Sequence, residues 1–316
     1  MTLRRVLTGV AAVGAATALS TALLMPHHAA RAQSESSKRH LLVVTVTKGF
    51  RHGSIPVAEK TIESLGESTG KWDTDFVRDD ADMAQKMTAA GLKKYDAIVF
   101  ANTTGVLPLP DPQAFLDYIK AGHGFAAMHS GSDTFHEWPN SKEPVSPYVD
   151  MLGGEFLTHH SQCAIMAHMA DRRSPALRDV AGPHARRAKR AAAADGLEAR
   201  DVMRENSATD GKTWKVFDEI YLLKNNDPSR VHTLLWLDQY PNDGSPEANK
   251  PELHLISWTK AYGKGRVFYT ELGHRDEVWH DPLYQKHITG GLEFVLRLVG
   301  GSTSPGNVTS ITPPAR

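Results

Sequence analysis

Apolar and polar positions fall into alternating blocks along the first half of this chain. The runs "LLVVTVT" (41–47), "WDTDFVR" (72–78), "YDAIVFA" (95–101) and "GFAAMH" (124–129) are rich in β-branched and aromatic residues and read as strands. Between them lie helical spacings: Ala58, Ile62 and Leu65 after the first run, a short stretch near 84–92, and 111–121. Ser54 is placed to cap the first helix, and Pro56 sits in its opening turn, where a missing N–H is tolerated. Strands alternating with helices predict an α/β domain with a mostly parallel sheet and helices on both faces. Ligands of such sheets collect at the carboxyl ends of the strands, here the loops "KGFRHG", "NTTG" and "HSGSDTFHEW".

The rhythm then changes. "QCAIMAHM", "DEIYLLK", "RVHTLLWL", "ELHLISW" and "GRVFYTEL" read as successive strands with loop connections, closed by a helix bearing Ile288, Leu292, Val295, Leu296 and Val299 on one face. Residues 301–316, rich in Ser, Pro, Thr and Gly, read as a disordered tail. The segment 184–212 is Ala-rich and dense in both charges, which favours a solvated helical insertion over a basic docking patch.

Composition adds bounds. With 316 residues the chain has room for one large α/β domain or two small ones. Residues 1–32 place Arg4 and Arg5 before an apolar run and end in Ala30-Arg31-Ala32, an A-x-A cleavage pattern. They read as an export signal for a periplasmic or secreted protein, followed by a linker at 33–39 and a domain at 40–300. The alternative is an uncleaved anchor, because Val6–Met25 approaches the length of a bilayer span. That anchor would be the chain's link to a membrane. The leader holds three of the 36 basic residues and none of the 36 acidic ones, so the remainder is slightly acidic and suggests no nucleic-acid partner. The single cysteine, Cys163, lies in an apolar strand and reads as an inert thiol.

The chemistry is in the histidines. His52, His129, His159, His160 and His274 fall near glycines at predicted strand ends, where imidazole can move protons or bind a metal. Asp133, Glu219 and Asp276 are candidate carboxylate partners. No spacing matches H-E-x-x-H, so a metal site would be assembled from distant segments. In Ala127-Met128-His129-Ser130-Gly131, small residues flank His129 as they flank the nucleophile of a strand-to-helix elbow, but the residue presented is an imidazole. In "FDEIYLLK" (217–224) strand alternation points Glu219 and Tyr221 together. Phe135, Trp138, Tyr221 and Trp279 are candidates for stacking on a sugar ring.

"KGFRHGSI", "GFAAMHSGSDTF", "GGEFLTHH", "DEIYLL" and "YGKGRVFYTELGHRDEVWHDP", in that order, resemble the ThuA-like (trehalose utilisation) family from about residue 40 to 299. The resemblance implies a flavodoxin-like α/β three-layer sandwich similar to class I glutamine amidotransferases. It also implies a role in carbohydrate metabolism. Glutamine hydrolysis is not implied, because His129 stands where the amidotransferases keep a cysteine. Carried over by position, His129, Glu219, His274 and Tyr221 are the expected catalytic residues, and Ser130 and His159 expected substrate contacts; Asp133 and Trp279 join those contacts as the carboxylate and aromatic candidates named above. His52 and His129 are the candidate ligands for a divalent metal, zinc or manganese. The expected substrate is a small carbohydrate, trehalose-derived or oxidised, acted on by a hydrolase, lyase or isomerase. A non-catalytic carbohydrate-binding protein is the alternative, and self-association into a homo-oligomer stays open. The family's usual His-Pro is Ser174-Pro175 here, which could remove a ligand or a pocket wall.

Overall fold

The computed structural model describes residues 38–182 and 207–311. Five parallel strands form one half of a ten-stranded sheet, in the order β2 (Trp72–Val77), β1 (Arg39–Val44), β3 (Ala97–Ala101), β4 (Gly124–Met128), β12 (Gly265–Thr270). Antiparallel pairing extends the sheet beyond β12 through β11 (Pro251–Tyr262), β10 (His232–Gln239), β6 (Cys163–Met169), β8 (Thr213–Asp218) and β7 (Ala208–Thr209). A separate ribbon pairs β5 (Glu155–His159) with β9 (Tyr221–Lys224). The α/β class expected from the alternation is therefore observed.

Strand β1 is apolar on both faces because both faces are covered. Leu41 and Val43 join Ala58 and Ile62 of α1 (Ile55–Thr69) and Ile288 and Leu292 of α8 (Pro282–Val295) in one core. Leu42 and Val44 join Met83 of α2 (Asp80–Lys86), Leu92 of α3 (Ala89–Leu92), Phe115 of α4 (Pro112–Lys120) and Val149 of α5 (Pro147–Leu152) in the other. Since α1 and α2–α3 lie on opposite faces, the chain reverses its direction of travel between β1 and β3. A crevice opens at the carboxyl ends of strands at such a reversal. Among the described residues the remaining α-helices are α6 (Pro175–Ala181), packed on α8, and α7 (Asp276–His280).

Four expectations need correcting. "FDEIYLLK" is two strands in two sheets: β8 ends at Asp218, whose Oδ2 accepts the Gly273 N–H (2.7 Å), and β9 starts at Tyr221, whose N–H is taken by the Glu271 carboxylate. These two buried acids bend the chain out of the main sheet. Ser54 makes no side-chain cap; its hydroxyl donates to the Gly273 carbonyl (3.3 Å) and accepts from Asn102 Nδ2 (2.9 Å). The tail is docked rather than disordered over 301–311: Thr259 Oγ1 donates to Ser302 O (2.7 Å), and Asn307 bonds both backbone groups of Thr233 (2.8 and 2.9 Å). Of the expected helical insertion, 207–212 is strand β7 and a turn, while 184–206 lies outside the described residues, as does the expected leader. No helix among the described residues is long and apolar enough to cross a membrane.

His287 of α8 gives the core a pH dependence. It is fully buried between the Ala176 carbonyl (3.0 Å from Nδ1) and Ser257 Oγ (3.3 Å from Nε2), and burial lowers its pKa from 6.5 to about 4. Between those values the unfolded chain binds the proton and the folded chain does not, so stability falls as pH drops through that window. The His287 contribution amounts to about 3 kcal/mol lost by pH 4. Denaturant unfolding at pH 7 and near pH 4 should show a shallower loss in His287→Gln; equal slopes would refute the assignment.

Candidate functional site

The elbow forms as its small residues require. His129 has φ +48°, and a Cβ on Gly131 would lie 2.7 Å from the Ala127 Cβ and 3.2 Å from the Phe100 carbonyl. Only glycine clears that approach. Tyr269 Oη donates to the His129 carbonyl (2.9 Å) and Tyr148 Oη to that of Gly131 (2.7 Å), so the strained turn is held from two sides. The imidazole is fixed as well: its Nδ1 donates to the Glu271 carbonyl (2.9 Å). A carbonyl only accepts, so Nδ1 carries the proton and Nε2 presents a lone pair.

Around that lone pair five side chains converge. The Tyr221 hydroxyl donates to His129 Nε2 at 2.8 Å. His274 Nδ1 is 3.3 Å away and also lies 3.1 Å from Glu219 Oε2, which is itself 3.5 Å from His129 Nε2. His159 Nδ1 reaches the other oxygen, Glu219 Oε1, at 3.1 Å. The rings of His52, His129 and His274 are mutually near-perpendicular, at 85°, 89° and 78°, with centroids 4.8–5.2 Å apart.

The elements explain the convergence. His52 follows β1, His129 follows β4, and His274 follows β12, all at the carboxyl ends of the parallel half. Glu219 and Tyr221 enter from the bend between β8 and β9, and His159, paired with Tyr221, from the end of β5. Gly273, at φ +126°, turns the chain so that His274 faces inward. A Cβ there would lie 2.8 Å from Tyr284 Oη, and its carbonyl accepts from Trp279 Nε1 (2.8 Å) and Asn102 Nδ2 (2.9 Å).

Electrostatics separate the groups. Burial, then the neighbouring imidazoles His129 and His274, lower His52 to about 3, so it is neutral. Burial would raise Glu219, but the neighbouring imidazoles of His129 and His274 outweigh it and hold this carboxyl well below its usual range. His274 shows the converse: burial opposes its proton, and the Glu219 hydrogen bond and charge more than restore it. Behind them, burial pushes Asp218 and Glu271 up and keeps the Tyr221 phenol far above its ordinary value.

Over residues 40–295 the sequence matches the ThuA family, described as trehalose utilisation. The chain belongs to the ThuA family. Among solved structures it is similar to a ThuA-like protein from Parabacteroides merdae, with TM-score 0.56 and 17% identity over 87% of this chain and 96% of that one. A ThuA-like protein from Bacteroides uniformis gives TM-score 0.54 and 17% identity over 82% of this chain and 91% of that one. At these identities the likeness concerns the fold. No curated protein matches.

In this ThuA family member the structure brings together His52, His129, His159, Glu219, Tyr221 and His274. It does not bring the other expected contacts into the cluster. Ser130 is fully buried, its Oγ 3.2 Å from His52 Nδ1, behind the ring of that histidine. Trp279 is a core residue with no exposed surface, packed edge-on against Tyr284. Asp133 pairs with His136 Nε2 (2.6 Å), whose Nδ1 contacts Glu155 (2.7 Å); those carboxylates, Asp133 first, raise the His136 pKa against burial. That network borders a separate cavity of about 570 Å³ lined by Val106, His136, Trp138 and Ser146. Ser174 opens α6 and takes no part in the cluster. Cys163 is buried on β6, with its thiol pushed up to about 11 by burial, then by Asp243.

Two further residues beside the cluster were not singled out from the sequence. Glu271 orients His129 through its carbonyl and Tyr221 through its carboxylate. An acid just before "LGH" at a strand end was the available signal. The other is Phe50: Phe135, Trp138, Tyr221 and Trp279 are all buried, whereas Phe50 is 67% exposed and stands 4.9 Å from the His52 ring. Its loop is fixed, with the Gly49 N–H donating to Thr104 Oγ1 (3.1 Å) and that hydroxyl donating to the Phe50 carbonyl (2.9 Å).

Proposed function

We propose that the chain is an exported enzyme of carbohydrate metabolism, acting on a small trehalose-derived or oxidised sugar by acid–base chemistry on a flavodoxin-like scaffold. The observation that carries this reading is the continuous hydrogen-bonded set Tyr221–His129–His274–Glu219–His159, which runs from a fully buried imidazole to a half-exposed one. The family description, trehalose utilisation, supports a sugar as the substrate class.

In this reading His129 Nε2 is the base, because its lone pair is fixed in place by the Nδ1 bond to Glu271. The Tyr221 hydroxyl, which occupies that lone pair in the free protein, turns from it when substrate binds, freeing Nε2 to take a proton, and donates to a developing oxyanion on the sugar. His274, kept protonated by Glu219, returns a proton to the departing or rearranging oxygen. Glutamine hydrolysis through a thioester does not fit, since the elbow presents an imidazole and the one thiol is buried on β6.

Phe50 offers an exposed apolar face at the mouth of this set, suited to the C–H face of a pyranose. Phe50→Ala should weaken sugar binding roughly tenfold, and Phe50→Trp should preserve it. A thermal-shift screen of the full chain against trehalose, other disaccharides and their keto derivatives, followed by product analysis, tests the function. Stabilisation with turnover is expected. A flat response across the panel would overturn the carbohydrate assignment.

A further inference from the structure

We propose that His129, His274 and Glu219, with His52 as the fourth group, bind one divalent transition-metal ion of the zinc class. The site uses the same side chains as the acid–base reading. With an ion bound, His129 Nε2 and His274 Nδ1 are ligands, so the base and acid roles given above belong to the metal-free chain; ion binding itself stands whether or not a sugar is the substrate.

The geometry comes first. His129 Nε2, His274 Nδ1 and Glu219 Oε2 form a triangle with sides of 3.3, 3.1 and 3.5 Å. With bonds of about 2.0–2.1 Å, two ligands of a tetrahedral zinc ion lie roughly 3.3 Å apart, so the triangle has the size of one face of such a site. His52 completes the group, the ligand atoms of all four residues lying within 4.8 Å of one another. Among the described residues this is the one group of its kind.

Orientation is the second argument. The three rings meet edge to face instead of stacking, and one ligand atom from each lies within 4.8 Å of the others. In two of the rings, His129 and His52, one nitrogen is engaged from outside, as in metal-bound histidines. His129 Nδ1 is held by the Glu271 carbonyl, and with the Ser130 hydroxyl oxygen accepting from His52 Nδ1, the second His52 nitrogen is left for the ion. His159, on the far oxygen of Glu219, orients the carboxylate in the same way.

Donor chemistry selects the ion. Three imidazoles and one carboxylate suit zinc, iron or manganese, and disfavour magnesium and calcium, which take oxygen ligands. When bound, such an ion polarises a carbonyl or lowers the pKa of water. The sequence pointed to His52 and His129; the tighter pair of partners for His129 is His274 and Glu219, which spacing could not reveal.

The test uses the full chain purified without a His tag, stripped with a chelator and titrated with Zn²⁺ and with Co²⁺. One ion per chain is expected by calorimetry, and the Co²⁺ form should show the intense visible absorption of a tetrahedral centre. His274→Ala and Glu219→Gln should each lower Zn²⁺ affinity at least about a hundredfold, because even outer partners of ligands cost up to that much. His168→Ala, outside the cluster and paired with Asp238 at 3.3 Å, should bind as the parent does. Circular dichroism checks that each variant folds, and the Co²⁺ spectrum of the unmodified chain needs no variant. No saturable binding by the unmodified chain, or binding indifferent to both substitutions, would overturn the proposal. Running the sugar screen on stripped and loaded protein separates this outcome from the carbohydrate reading: trehalose stabilisation of the stripped chain survives a failed metal site.

Discussion

His129→Ala is expected to lower sugar turnover by about 10²–10⁴-fold while leaving the fold in place. The imidazole is the one side chain presented at the apex of the elbow, and its Nε2 lies within 2.8–3.5 Å of Tyr221, His274 and Glu219. Truncation removes the lone pair around which the other groups are arranged. The fold should persist at some cost in stability from the cavity, since the turn is held by Tyr269 and Tyr148 through backbone carbonyls that alanine retains. Alanine at φ +48° carries strain of its own, so His129→Asn is the control, asparagine tolerating the left-handed region better. Both variants should lose turnover alike, read as kcat on the sugar found by the screen, with circular dichroism matching the parent. Full turnover in either variant would remove His129 from the chemistry.

Trp279→Ala should cost about 3–5 kcal/mol in unfolding free energy, the range for truncating a large buried aromatic. The indole has no exposed surface, lies 5.2 Å from the Tyr284 ring, and donates from Nε1 to the Gly273 carbonyl (2.8 Å). A second effect follows at the site. Gly273 aims His274, and with Trp279 gone its carbonyl keeps only the Asn102 and Ser54 bonds. Turnover should therefore fall in the alanine variant, and Trp279→Phe should restore part of the stability. Chemical denaturation reads the first effect. Unchanged stability with weakened sugar binding would instead make Trp279 a substrate platform, as its sequence context suggested.

Much of the scaffold was legible before the structure. The apolar run of β1, the small residues at 127 and 131, and the alternation through β4 state the parallel half and its elbow, because these are local demands of backbone and solvent. The histidines at strand ends were legible for the same reason. Less legible were "FDEIYLLK", where local alternation was overridden by two buried acids, and the tail, whose polar composition concealed hydrogen bonds to β10 and β11.

The sequence by itself determined the fold class, the family and the presentation of an imidazole at the strand-to-turn apex. Only the tertiary structure decided which groups meet that imidazole. Glu219 and His274 lie 90 and 145 positions from His129 in the chain, and no local periodicity encodes a contact of that separation. It likewise decided that Ser130 and Trp279 face inward and Phe50 outward, because burial depends on what the rest of the chain packs against each position.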